Sequence, residues 1–191
     1  MTIKQNFELM AKYNQWMNEQ IYKAAADLSH TQLIEDRGAF FGSILGSLNH
    51  ILVGDIIWLK RFASHPSKYN SLDYVNSLPK PSALSETLYP DFNELQKARI
   101  IMDAVVVNFS LEALEQDYEH ELSFNNTKGQ PFNKKFGFLV HHFYNHQTHH
   151  RGQVTTLLSQ LGIDVGVADL LTLIPDVDKI KHLDGIGEIL T

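Results

Sequence analysis

Five of the ten histidines in this 191-residue chain fall within ten residues, in the stretch HHFYNHQTHHRGQV from His141 to Val154. Imidazole titrates near neutrality and is a common metal ligand, so the run offers either proton transfer or coordination. The apolar positions Leu139, Phe143, Val154, Leu157 and Leu161 recur at about 100° per residue and mark one stripe of a helix. His150 falls inside that stripe and His146 on its flank, His142 and His149 lie at the margin, and His141 lies outside. His146 and His150 are therefore the pair to be buried, one turn apart and able to reach the same ion. Burying two imidazoles without partners is costly. A shared metal meets that cost, and so do hydrogen bonds to core polar groups; the spacing leaves both open.

HQTHH has the spacing of the metalloprotease motif H-E-x-x-H, with Gln147 where the general base belongs. An amide cannot take up a proton at neutral pH, so zinc-peptidase chemistry is excluded. A third histidine, His50, lies in the apolar segment LNHILVGDIIWLKRF, whose stripe through Ser43, Ser47, Gly54 and Arg61 is small or polar where a packed core would carry leucine. Such a stripe reads as a cavity wall, although a lone core histidine is more often a hydrogen-bonded one. Three neutral histidines with open positions make a zinc site of the catalytic kind, and suit nickel or ferrous iron as well.

The remaining composition narrows the chemistry. There is no cysteine, which removes disulfides, thiolate ligands and a cysteine nucleophile together. A net charge of −6 and the lack of any basic run argue against nucleic acid and anionic membranes as partners. The start, MTIKQNFELMAKYNQW, has no apolar signal core, and no apolar run approaches the ~20 residues of a membrane span. A cytoplasmic location is the expectation.

Four long helices must position the histidines. The first is predicted over Gln5 to Leu28, the second over Ala39 to Phe62, the third over Asp91 to Phe109 and the fourth over Lys135 to Leu161, ended by Gly162. Asp91 and Glu94 form a capping pair for the third. HPSKYNSLDYVNSLPKPSALSE, with three prolines, reads as a long crossover loop, and YEHELSFNNTKGQPFNKK as a short hairpin or turn-rich excursion. The tail, residues 163–191, packs on the bundle or on a second subunit. The expected architecture is all-α, a four-helix bundle in one domain over residues 1–191, of the kind that builds metal sites from inward-facing side chains.

SLNHILVGDIIWLKRF, followed about a hundred residues later by NHQTHHRGQV, resembles the DinB/YfiT-like family of bacterial metal-binding four-helix bundles. Tyr13-Asn14-x-Trp16 and GIDVGVADLL extend the likeness over nearly the whole chain. The resemblance implies a divalent metal held by His50, His146 and His150, Zn²⁺ first and Ni²⁺ or Fe²⁺ next. It also implies a metal-dependent enzyme of the S-transferase or isomerase type, acting on a small-molecule substrate with a low-molecular-weight thiol such as bacillithiol or mycothiol, and frequent homodimers. The alternative is a hydrolytic or non-catalytic metal-binding bundle of stress-response type. No catalytic side chain beyond the ligands is identified. Asp55, on an apolar helix face, is expected to pair with Arg151 or to orient a ligand histidine, or to serve a structural ion pair. Gln153 is placed at the site opening, Trp58 in the core, and His149 in solvent or in an acid–base role.

Overall fold

Thr2 caps the first helix with a reciprocal pair: its hydroxyl accepts from Gln5 N–H, and the Gln5 side chain accepts from Thr2 N–H. From there the computed structural model describes residues 1–176. Its helices in chain order are α1 (Ile3–Ala25), α2 (His30–Ile34), α3 (Ile44–Phe62), α4 (Asp73–Ser77), α5 (Phe92–Glu112) and α6 (Phe136–Ser159). One antiparallel hairpin, β1 (Glu121–Asn125) and β2 (Pro131–Lys135), runs straight into α6.

The four long helices form the expected all-α bundle, with α1 and α3 each packed against both α5 and α6. α3 is the most deeply buried, in keeping with apolar residues around most of its circumference. One end of the core is an aromatic cluster in which Phe62 meets Phe109, Phe136 and Phe143 at centroid separations of 5.2–5.9 Å.

Helix starts differ from expectation where local capping wins over apolar pattern. α3 begins at Ile44, five residues later than predicted. Gly42 takes φ +73°, which ends any helical run, and the Ser43 hydroxyl accepts from Gly46 N–H to start the next. Asp91 caps α5 by accepting from Glu94 N–H at 3.0 Å. α6 stops at Ser159, with Gly162 at φ +76° just beyond. The crossover between α3 and α5 is not a bare loop: it carries a 3-10 turn (Asn70–Leu72) and α4, with Leu72 and Val75 wholly buried. The short helix α2, capped by Ser29, was also unsignalled, because five residues carry too little periodicity to register.

The excursion before α6 is a regular hairpin in which Phe124 opposes Phe132. The first part of the tail packs on the bundle: the Tyr13 hydroxyl donates to Ala168 O at 2.7 Å, and Ile163, Leu170 and Leu173 lie against the core. The rest of the tail lies outside the described residues. Among the described residues no helix is long and apolar enough to cross a membrane.

Candidate metal centre

α3 and α6 lie side by side, and their contact brings three imidazoles together. His50 Nε2 is 3.1 Å from His150 Nε2 and 3.3 Å from His146 Nε2. The remaining ring nitrogens explain what these atoms carry. His50 Nδ1 is 2.8 Å from Leu84 O in the crossover, and His150 Nδ1 is 2.8 Å from Gln153 Oε1 one turn later. Both oxygens can only accept, so both Nδ1 atoms hold the proton and both Nε2 atoms present a lone pair. Burial lowers His50 to a pKa of about 4 and His146 to about 3, and lowers His150 too; His146 is pushed further by the two neighbouring rings. All three are neutral at pH 7.

Two lone pairs facing each other at 3.1 Å repel unless a cation lies between them. Nitrogens about 2.0–2.1 Å from a tetrahedral zinc stand about 3.3 Å apart, which is the separation found here. The donor set thus fits a divalent metal: three neutral nitrogen ligands, two of them held by oxygen acceptors behind the ring in the usual manner.

Phe41 and Gly54 close two sides. Phe41, in the turn before α3, stacks flat on His50 with centroids 3.6 Å apart and edge-on to His150 at 5.6 Å. Gly54 forms the floor under His146: a Cβ there would come within 2.7 Å of His146 Cε1. Of the small-residue stripe, this glycine alone makes room for the site. Ser43 caps α3, and Ser47 Oγ donates to Ser43 O inside the helix.

The expected surroundings of the ligands are redistributed. Asp55 pairs with neither Arg151 nor a ligand histidine. Arg99 from α5 donates to it, and the same guanidinium meets Asp103 at 3.0 Å. The reason is packing: α5 lies behind α3 and places a wholly buried arginine against the wholly buried carboxylate. Arg151 instead donates to Asn14, lies over the Tyr13 ring and reaches Thr148 at 3.3 Å. Asn18 completes this buried network by donating to Asp103 at 2.7 Å. The Asp55–Arg99–Asp103 group ties α3 to α5, and Asn18 adds α1 to it.

Gln153 does face the site, as the acceptor for His150. His149 is exposed, with Gln153 Nε2 3.4 Å from its ring. His141 is exposed on the outer face. His142 rests edge-on against Trp58 at 4.8 Å, and Trp58, half-buried, packs against the edge of the core and against Phe124 of the hairpin. Gln147 is wholly buried, and its amide makes no hydrogen bond to the histidines. Leu84 and Phe41 were missed. Both lie in loops, where periodicity carries no information about which backbone carbonyl or ring will arrive beside a helix.

The fold is thus an all-α bundle in which three inward histidines on two helices could hold a metal ion. Residues 1–176 match the family model "DinB family", and the chain belongs to that family. It is 25% identical over 151 residues to "Protein DinB" of Bacillus subtilis (strain 168), an alignment covering 79% of this chain and 83% of that one. No solved structure matches the chain.

Proposed function

We propose that the protein is a divalent-metal enzyme whose ion would be held by His50, His146 and His150, with zinc the first choice of metal, and that it joins a low-molecular-weight thiol through its sulfur to a small electrophile, the thiol proton and any leaving group passing to solvent. The observation that carries the reading is the pair of lone-pair-bearing Nε2 atoms 3.1 Å apart, each with its Nδ1 proton committed to an oxygen. A bound divalent ion supplies Lewis-acid activation there, lowering the pKa of a coordinated thiol so that it reacts as thiolate.

The chain's own residues supply the rest. Leu84 O and Gln153 Oε1 hold the His50 and His150 rings in the tautomer that keeps Nε2 free. Phe41 covers one face and keeps bulk water off it. The chain has no cysteine, so the nucleophile comes from the cosubstrate. Gln147, buried and unable to accept a proton, leaves the H-x-x-x-H segment without a base for hydrolysis. The same reading expects a cytoplasmic homodimer, for which the exposed Ile100, Leu111 and Phe138 offer apolar surface.

The test is activity of purified protein with bacillithiol, mycothiol or another small thiol and an alkylating electrophile. Turnover abolished by chelation and restored by one metal supports the transferase. A bound metal without turnover across these thiols removes the transferase and leaves a metal-binding bundle.

A further inference from the structure

A second feature of the molecule is unused by the histidine site. Between the C-terminal half of α3, residues 80–84 of the crossover and the tip of the hairpin lies a cavity of about 540 Å³, lined by Lys60, Arg61 and Lys80 with Leu84, Phe124 and Asn126 among its walls. Among the described residues no carboxylate lines it. In a chain with 22 acidic residues against 16 basic ones, none of these three cations forms an ion pair among the described residues. Lys60 and Arg61 are partly desolvated without an anion to offset it, and burial lowers both.

Arg61 is held in place for recognition. Its guanidinium lies 4.5 Å from the Trp58 centroid and 4.8 Å from that of Phe124, and it donates to Asn125 O at 3.3 Å. A guanidinium has five N–H donors in a planar fork, so most remain for a planar or tetrahedral oxyanion. Lys60 Nζ spends one donor on Asn76 O at 3.1 Å and keeps two. The cavity also adjoins the histidine site: Leu84, whose carbonyl fixes the His50 ring, forms part of its wall. Along α3, Lys60 lies ten residues beyond His50, about 15 Å. A small molecule extending along α3 can place a reacting atom near the histidines and an acidic group among the cations.

We propose that this cavity binds the anionic end, carboxylate or phosphate, of the small molecule handled at the histidine site, an inference that rests on the enzymatic reading above. The cations then set substrate specificity by charge, while the histidines carry the chemistry.

The test uses full-length, metal-loaded protein titrated with succinate, inorganic phosphate and neutral succinamide, read by tryptophan fluorescence and calorimetry. Saturable binding of at least one anion, weakened by salt and absent for succinamide, is expected. The tighter of the two anions distinguishes a carboxylate ligand from a phosphate one. The Lys60→Gln/Lys80→Gln double variant should bind that anion at least about tenfold more weakly, and Lys80→Glu, on the exposed crossover, should weaken it in the same direction. His146→Ala, which leaves the cavity untouched, should bind it as the parent does while losing metal. No saturable anion binding to the parent, or unchanged affinity in both lysine variants, overturns the proposal. Loss of the metal reading shows separately, as a parent chain that holds no metal yet still binds the anion.

Discussion

Among the described residues two groups of side chains have the composition of a metal site, and they are built in opposite ways. His50, His146 and His150 lie between α3 and α6. His65, Asp117 and His120 lie between the end of α3 and the turn before β1, and in both groups the ligand atoms are within 4.8 Å of one another. In the first group the proton-bearing nitrogens point outward to oxygens, so the lone pairs converge.

In the second group the acceptors are already taken. His65 Nδ1 accepts from Ser67 N–H at 3.2 Å, which puts the ring proton on Nε2. Asp117 accepts from the Ser67 hydroxyl at 2.8 Å, from the Tyr69 hydroxyl at 3.1 Å and from Leu114 N–H at 2.9 Å. His120 is exposed. Proximity of ligand-type residues is therefore not sufficient. The direction of the hydrogen bonds behind them decides whether a cluster offers lone pairs to an ion or fastens one loop to another, and the second group is a fastener.

The sharpest way to break this contrast is metal analysis of matched variants. His146→Ala is expected to lose bound metal, with affinity down at least about 100-fold, whereas His65→Ala keeps one equivalent per chain. Metal retained by His146→Ala, or lost from His65→Ala, would reverse the assignment of the two clusters.

Acidification of the chelator-treated protein is the next largest effect. His50 and His146 stay neutral in the fold down to about pH 4 and about pH 3, whereas an unfolded histidine takes up its proton near 6.5. Below pH 6.5 the unfolded chain thus binds more protons, and stability falls as pH drops. Between pH 7.5 and pH 5 urea melts should register a loss of about 2–3 kcal/mol, after allowance for screening at the open edge of the site. Flat stability over that interval would contradict the buried neutral rings.

Gly54→Ala tests the floor of the first cluster. The new methyl must displace the His146 ring, so metal affinity should drop by about 10–100-fold. The helix itself should gain up to about 1 kcal/mol in a thermal melt of the metal-free protein. Unaltered affinity would mean that His146 is not held against α3. Asp117→Ala tests the fastener: it leaves Tyr69, Ser67 and Leu114 donors unpaired and should destabilise by about 1–2 kcal/mol with metal content unchanged.

Much of the first cluster was legible before the fold was known, and little of the second was. Helical phase selected His146 and His150 from five neighbours because a helix is a one-dimensional lattice whose faces follow from counting. It placed His50 on an interior face for the same reason. It left Asp55 open between Arg151, a ligand histidine and a structural ion pair between helices; the last is what forms, with Arg99 as the partner, which the pattern could not name because it does not say which helix lies behind. Arg99 lies in the apolar stripe of α5 between Leu95 and Met102, so its phase did signal burial, but not which carboxylate it would meet. Trp58, assigned to the core, packs at its edge and also meets the hairpin and Arg61, a contact that helical phase within α3 does not specify.

The chain by itself determined the four long helices, the cap at Asp91, the absence of any thiol ligand and the two turns of α6 that present histidine inward. These follow from local physics: propensity, capping and periodicity act within a few residues. Only the tertiary structure decided that Leu84 and Gln153 direct the ring protons, that Phe41 covers His50, that Gly54 admits His146, and that three cations gather around one cavity. Each of those depends on which segments distant in sequence come into contact, and that is settled by how the helices pack and not by any one of them.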